Sequence, residues 1–286
     1  MTDLTLDWLN AASVEDFTTA LGEMFENASW VARAAAAARP LATVAALHAA
    51  MMDAMRAAPA DRVLAFLRGH PELGGAAAAA GTMGADSTAE QAALGLQRAD
   101  GSGLPAMNAE YAARFGFPFI VCVRRHTLAS LLAVFQRRLA GDRAAEHAAA
   151  LQEIGYITRL RLCGRVSGPG VPVVHGSLST HVLDAAVGRP AAGVAIELFE
   201  AGGETARLLG QFVTNTNGRT DGPLLSGAPL RMGIYELRFH MGAYFGSAAD
   251  AFLGVVPVRF GIGEAEAHYH IPLLASPGAY STYRGS

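Results

Sequence analysis

The chain has 286 residues, of which 51% are hydrophobic and 16% are charged, and its formal net charge is −3. This composition is too apolar for an intrinsically disordered protein, and the small net charge gives no electrostatic reason to expect a nucleic-acid partner. An uninterrupted apolar stretch of about 18 residues, as a membrane helix requires, is not found in the sequence. We therefore expect a folded protein with neither nucleic acid nor a membrane as its partner.

The two cysteines, Cys122 and Cys163, do not form a CxxC pair. A disulfide framework or a thiolate zinc site is therefore not expected, because both need clustered cysteines. The first ten residues, MTDLTLDWLN, lack the basic region followed by an apolar region that marks a secretory signal. These features predict a cytoplasmic location.

Residues 1–163 are predicted to form an all-α domain. Alanine is abundant, and apolar side chains recur at three- and four-residue spacing in 63–67 and 128–135. Ser13 and Ser87 each precede an acidic residue by three positions, which is typical of a helix N-cap. Residues 164–173 hold three glycines and two prolines, a composition that predicts a flexible linker.

Residues 174–286 are predicted to form an all-β sandwich. Apolar and polar residues alternate in 194–200 and 235–239, and strand-like segments follow at 255–260 and 268–273. Turn residues separate these segments, and several short strands in a region of this length are typical of a β-sandwich. Pro257 and Pro272 favour strand ends or edge strands, because proline cannot donate to a ladder.

The second half contains a pair of histidines that a strand would place on one face. His268 and His270 are two positions apart, which is the side-chain period of a strand. Spacing alone leaves three interpretations open: a metal pair, a general acid–base site, or an exposed surface pair. A metal site would need His181 as its third ligand. Arg219, in a loop rich in glycine and asparagine, is by itself typical of a solvated turn.

Four segments in this half together carry a family resemblance: LSTHVLD (178–184), NGRTDGPLL (217–225), HYHIPLL (268–274) and YSTYRGS (280–286). They resemble 5-hydroxyisourate hydrolase, the transthyretin-related enzyme of urate degradation. The resemblance implies a transthyretin-like sandwich that forms a homotetramer, with the site between subunits and no cofactor. It implies catalytic roles for His181, Arg219, His270 and Tyr283, with His268 and Ser286 beside the substrate.

Polar residues of the first half have ordinary structural interpretations when each is taken alone. His70 precedes Pro71 after an apolar helix, so it is typical of a C-terminal helix cap. Ser87 and Glu90 form a capping box, and Arg161 is typical of a solvated helix charge. Residues 115–124 form an apolar run that predicts a core strand or the entry to a helix.

Five segments of this half nevertheless carry a second resemblance: FENASWVARAA (25–35), HPELGG (70–75), STAEQAALGL (87–96), FGFPFIVCVR (115–124) and EIGYITRLRL (153–162). They resemble 2-oxo-4-hydroxy-4-carboxy-5-ureidoimidazoline (OHCU) decarboxylase, which needs no cofactor. The resemblance implies that His70 is the proton donor and that Glu90 is catalytic. It implies that the substrate-binding residues are Pro71, Ser87, Gln91, Phe119, Ile120, Val121, Cys122, Val123 and Arg161.

The two resemblances name consecutive reactions, since the product of the hydrolase is the substrate of the decarboxylase. A chain with both domains would convert 5-hydroxyisourate to (S)-allantoin. Two other classes stay open at this level: a transthyretin-like small-molecule binding protein with a helical adaptor, and a metalloenzyme that uses His181, His268 and His270.

Overall fold

The computed structural model describes residues 4–75, 84–93, 103–203, 205–246 and 251–285. They form two compact units, of which the first runs up to Arg124 and continues over Leu132–Val174. The second unit contains Arg125–Leu131 and the chain from His175 onward. The first unit is mainly helical and the second is mainly β-sheet, as the sequence predicted. Within the described ranges, every helix is too short or too polar to cross a membrane.

The helices begin and end close to the sequence signals for them. Ser13 caps the second helix, where its Oγ accepts the N–H of Asp16 at 3.0 Å. The cap predicted at Ser87 is wrong, because Ser87 lies inside a helix. The helices are α1 (Leu6–Ala11), α2 (Val14–Leu21), α3 (Ser29–Ala35), α4 (Val44–Ala57), α5 (Ala60–Arg68), α6 (Ala85–Ala93), α7 (Leu104–Phe115), α8 (Leu128–Leu139) and α9 (Arg143–Cys163).

Glycine- and proline-rich residues after α9 stay attached to the helical unit. Strand β2 (Val166–Ser167) pairs in parallel with β1 (Leu4–Thr5), so this unit is not purely α-helical. The carbonyl groups of Pro169 and Gly170 accept the N–H groups of Val44 and Ala45 at 2.9 and 3.2 Å. These bonds were not expected of a flexible linker. The domain limits at 163 and 174 stay a prediction.

A buried charged network ties α7, α8 and α9 to the extended segment before α8. The carboxylate of Glu146 accepts bonds from Tyr111 Oη at 2.5 Å and from Arg138 Nε at 2.9 Å. Arg138 also donates to the carbonyl of Ile120 at 2.8 Å, and its guanidinium lies 4.6 Å from the ring centroid of Phe119. Burial, with Glu146 as its hydrogen-bond partner, raises the pKa of Tyr111. The network therefore fixes the backbone of residues 119–120.

The second unit is a sandwich of two sheets. One sheet has the strand order β10-β9-β3-β4 and the other the order β6-β5-β7-β8. The strands are β3 (Ser177–Asp184), β4 (Arg189–Pro190), β5 (Ala195–Glu200), β6 (Arg207–Val213), β7 (Gly233–Phe239), β8 (Val256–Ile262), β9 (His268–Ser276) and β10 (Ala279–Thr282). A short helix, α10 (Met241–Tyr244), interrupts the all-β pattern.

The two strand prolines differ in their positions. Pro257 lies on the edge strand β8, as predicted. Pro272 lies on β9, which is between β10 and β3, so the edge prediction is wrong there. The pairing with β10 covers only Leu273–Ser276, which leaves Pro272 one residue outside that ladder. A missing N–H is tolerated at such a position.

The parallel pairing of β3 with β9 positions the polar residues of the sandwich. Leu178, Val182 and Leu273 are fully buried in the core between the sheets. Because side chains alternate along a strand, Ser179 and His181 point to the opposite face of β3. The register places Ser179 beside His270 and His181 beside Pro272. The outer face of this sheet thus collects the polar residues of two distant segments.

We expect Glu146→Ala to lower the free energy of unfolding by about 3–5 kcal/mol, because it leaves the buried Arg138 guanidinium without its carboxylate. The side chains of Arg138 and Glu146 are only 8% and 4% exposed. Urea unfolding followed by far-UV circular dichroism measures the change.

The matched control is Asp53→Ala, which breaks the exposed ion pair with Arg56 on α4. Exposed pairs contribute about 1 kcal/mol or less, so this variant should remain close to the wild type. Equal losses in the two variants would contradict the structural role of the buried network.

Candidate active sites

The helical unit places most of the predicted decarboxylase residues around one cavity. Helix α5 ends at Arg68, and His70 follows with its N–H bonded to the carbonyl of Leu67. On α6, residues 87, 90 and 91 share one helical face because they are three and four positions apart. The lining residues are His70, Pro71, Leu73, Ser87, Glu90, Gln91, Phe119, Val121, Val123 and Ile157.

Arg161 lies behind this cavity in a fixed arrangement of charges. It is 7% exposed, and its guanidinium donates to both carboxylate oxygens of Glu90, at 2.9 and 3.3 Å. It also donates to Ser87 Oγ at 3.1 Å. Burial favours its neutral form, but the bonds and charge of Glu90 outweigh burial and raise the pKa of Arg161. Arg161 is therefore a permanent, oriented cation and not the solvated charge that its sequence position suggested.

His70 is a neutral imidazole at pH 7. Burial is the main cause that lowers its pKa to about 4; the charge of Glu26 opposes this change, and Arg161 adds to it. Its Nδ1 atom is buried and has no hydrogen-bond partner among the described residues. Glu90 bonds to Arg161, so it does not hold this imidazole in the cationic form.

Glu26 is a site residue that the sequence interpretation missed. Its carboxylate accepts the hydroxyl of Ser87 and, at 2.9 Å, the N–H of Gly84. It is also the acidic group whose charge acts on His70. In the sequence, Glu26 stood out only because it lies in the segment 25–35, which is part of the resemblance. The residue types of that segment did not by themselves indicate a catalytic or binding role.

Besides Ser87 and Arg161, three more of the predicted substrate-binding residues make bonds within the protein. Gln91 accepts the N–H of Gly74 at 2.9 Å and donates to the carbonyl of Glu72 at 3.3 Å, so it holds the loop that carries His70. The N–H of Cys122 donates to Glu153 at 2.8 Å, and the carbonyl of Ile120 accepts from Arg138. Ile120 and Cys122 do not line the cavity, whereas Phe119, Val121 and Val123 do.

In the sandwich, four of the predicted hydrolase residues lie together. His181 on β3 forms an isolated bridge with Arg219, and Arg219 follows a turn at Gly218 with φ +70°. A Cβ atom at Gly218 would overlap the carbonyl oxygen of Val182. Only glycine therefore allows the loop to bring Arg219 beside His181.

His181 and His270 both have lowered pKa values. Burial is the first cause for each, and the guanidinium of Arg219 is the second. The neighbouring imidazoles of His268 and His181 contribute further to the change at His270. The Nε2 atom of His181 is buried without a hydrogen-bond partner in the described structure. The site thus holds two neutral bases beside a fixed cation.

Ser179, which the sequence interpretation did not select, bridges the other two histidines. Its Oγ lies 2.9 Å from His268 Nε2 and 2.9 Å from His270 Nδ1. The described residues contain no cluster of three histidine, cysteine or carboxylate side chains with the geometry of a metal site. The metal interpretation of His181, His268 and His270 therefore has no geometric support.

The C-terminal segment contributes a backbone contact to the site. The N–H of Gly285 donates to the carbonyl of His270 at 2.8 Å. Tyr283 is 59% exposed and lines a groove with Tyr269 and Arg284, and its catalytic role stays a prediction. Ser286 lies outside the described residues.

Comparisons with known proteins match a different family to each half of the chain. Residues 10–163 match the OHCU decarboxylase family, and residues 178–285 match the HIUase/Transthyretin family. The chain therefore belongs to the OHCU decarboxylase family over its helical region and to the HIUase/Transthyretin family over its β region.

Three relatives illustrate these matches. The chain is 54% identical to "5-hydroxyisourate hydrolase 2" of Rhizobium meliloti over 116 residues, which are 39% of this chain and 97% of that protein. It is 35% identical to "2-oxo-4-hydroxy-4-carboxy-5-ureidoimidazoline decarboxylase" of Haloferax volcanii over 170 residues, 58% of this chain and 99% of that one. A crystal structure of (S)-allantoin synthase is similar at 32% identity and TM-score 0.54, covering 99% of this chain and 100% of that one.

We expect the stability of the helical unit to fall as the pH is lowered from 7 to 5. The pKa of His70 is about 4 in the folded state and 6.5 without the fold. Between these values the unfolded chain binds a proton that the folded chain does not, which costs about 2 kcal/mol by pH 5. Urea unfolding followed by far-UV circular dichroism at each pH measures the slope.

His70→Asn should remove this part of the pH dependence, whereas the exposed Gln152→Ala on α9 should keep the wild-type slope. An unchanged slope in His70→Asn would show that the imidazole is not held neutral by the fold.

We expect Gly285→Ala to displace the ring of His270, because a Cβ atom at this position would lie 2.5 Å from His270 Cδ2. Imidazole ¹H–¹⁵N correlation spectra should show a shifted His270 resonance while the melting temperature of the sandwich changes little. Gly278→Ala is the control, since a Cβ atom there meets open space. Identical His270 spectra in the wild type and in Gly285→Ala would disprove the contact.

Proposed function

We propose that this chain degrades 5-hydroxyisourate to (S)-allantoin in two steps. The sandwich site hydrolyses 5-hydroxyisourate to OHCU, and the helical site decarboxylates OHCU stereoselectively. Urate-derived small molecules are therefore its substrates, and neither proposed step uses a cofactor.

One observation carries this proposal: a single chain holds both sites, and its relatives over each half are enzymes of consecutive reactions. The similarity to (S)-allantoin synthase extends over 99% of the chain, so it includes both halves in the same order. A binding protein without turnover is not favoured, because the named relatives of both halves are enzymes.

In the sandwich site, a neutral imidazole accepts the proton of the attacking water. His181 and His270 both suit this role, because their lowered pKa values keep them unprotonated at neutral pH. Attack on the cyclic amide-type carbonyl places negative charge on its oxygen. Arg219, which stays cationic, stabilises that charge and the anionic oxygens of the substrate.

In the helical site, an anionic substrate favours the imidazolium form of His70, because a nearby negative charge raises the pKa of a histidine. Loss of CO2 leaves an electron pair that is delocalised into the ring carbonyl. The Arg161 cation, oriented by Glu90 and Ser87, stabilises this developing charge. His70 then donates its proton from one side of the cavity, which gives a single enantiomer.

We further infer a homotetramer built through the sandwich and a cytoplasmic location. Strands β8 and β10 are edge strands, and large apolar side chains are exposed beside them, including Tyr280 at 46% and Tyr283 at 59%. Unpaired edges of this kind favour association with a second copy. Tyr283 would then serve the site of a neighbouring subunit. Cys122 and Cys163 are thiols and not half-cystines, which supports a reducing compartment.

Separate substitutions should stop the reaction at different steps. His181→Ala should slow the decay of 5-hydroxyisourate absorbance by about 10²–10⁴-fold, the usual contribution of a general base. His70→Ala should leave that decay unchanged but slow the build-up of circular dichroism from chiral allantoin by a similar factor. Freshly generated 5-hydroxyisourate is the substrate in both assays.

The exposed His175 provides the control, and His175→Ala should behave as the wild type in both assays. If His70→Ala produced optically active allantoin at the wild-type rate, the role of the helical site would be wrong. If the wild type left both intermediates to decay at their spontaneous rates, the whole proposal would fail.

A further inference from the structure

We propose that Ser179 is a positioning residue that connects His270 to the exposed His268 as a proton relay during hydrolysis. This inference deepens the proposed function and depends on it.

The geometry of β3 and β9 places one hydroxyl between two imidazoles. Ser179 and His270 are direct neighbours in the parallel register, and His268 is two positions earlier on the same face of β9. The hydroxyl lies 2.9 Å from a nitrogen of each ring. The ring centroids are 6.3 Å apart, so the hydroxyl is the link between the two imidazoles.

A serine hydroxyl has one proton, so it donates to one ring and accepts from the other. When His270 Nδ1–H donates to Ser179 and Ser179 donates to His268 Nε2, the Nε2 atom of His270 is left with a free lone pair. This arrangement prepares His270 Nε2 as a base toward water. The opposite arrangement protonates Nε2 and prepares His270 as an acid.

The relay moves two protons while one proton enters from water. As His270 Nε2 takes the water proton, His270 Nδ1 gives its proton to Ser179 Oγ, and the serine proton passes to His268 Nε2. His270 ends neutral and His268 ends as the imidazolium. The reverse movement lets His270 Nε2 return the proton to the leaving nitrogen, so atoms and charge balance over the cycle.

The two rings differ in their exposure and in the charges around them. His270 is half-buried, and the charged and titratable groups that act on it are Arg219, His181 and His268, all of which disfavour its imidazolium form. His268 is exposed, so water solvates its charge. A positive charge is therefore disfavoured on His270, whereas solvent reaches the ring of His268.

The test uses the full-length chain and steady-state hydrolysis of 5-hydroxyisourate. Ser179→Ala should lower kcat by about 10–100-fold with KM within about threefold, because it breaks the relay but leaves the substrate contacts. Ser179→Thr keeps the hydroxyl and should restore kcat to within about threefold. His268→Gln, on an exposed position that does not endanger folding, should reproduce the loss of Ser179→Ala.

Two further readouts separate a relay from a structural role. The double variant Ser179→Ala/His268→Gln should be no slower than either single variant, because residues that act as a unit are not additive. The dependence of kcat on the deuterium fraction of the solvent should be curved in the wild type, which moves several protons, and linear in Ser179→Ala.

Full activity in Ser179→Ala or in His268→Gln would overturn the relay. Additive losses in the double variant, or failure of Ser179→Thr to restore kcat, would overturn it in favour of simple packing. Each of these results leaves the hydrolase function intact, since wild-type turnover is measured in the same series. Absence of wild-type turnover would instead reject the proposed function.

Discussion

A guanidinium beside a buried or half-buried imidazole is the interaction on which both sites depend. Arg161 acts on His70, and Arg219 acts on His181 and His270, and in each case the arginine adds to burial in lowering the pKa of the histidine. Burial is the larger cause for each histidine, and at His70 the charge of Glu26 opposes Arg161. The guanidinium that disfavours protonation of the imidazole is also available to stabilise an anion. In each site the imidazole therefore serves as the proton acceptor or donor. The guanidinium beside it supplies the electrostatic stabilisation that anionic intermediates require.

The sites reach this arrangement by different structural means. In the helical unit, Arg161 is oriented by Glu90 and Ser87, and Glu26 holds Ser87 from the other side. In the sandwich, backbone pairing positions the groups instead. His181 forms an isolated bridge with Arg219, and His270 forms one with Gly285. Side-chain bonds define the first site, and close backbone approaches define the second.

Local patterns in the sequence predicted much of the fold. The apolar spacing at 63–67 and 128–135 corresponds to α5 and α8, and the alternation at 194–200 and 235–239 corresponds to β5 and β7. Patterns failed where tertiary contacts compete with them. Ser87 has the spacing of a helix cap, but its hydroxyl bonds to Glu26, which is 61 residues away. The apolar run at 115–124 contains no strand, because Arg138 and Glu153 take its backbone groups.

By itself, the sequence determined which residue types are available and which segments are helix or strand, because those properties depend on neighbours a few positions apart. It also contained the motifs that identify the two families. Only the tertiary structure decided that Glu26 and Ser179 lie at the sites and that Glu90 bonds to Arg161. It also decided that Tyr283 is exposed in a groove beside Tyr269 and Arg284. The reason is physical: pKa values, ion pairs and hydroxyl bridges depend on distances between segments that are far apart in the chain, and no local pattern records those distances.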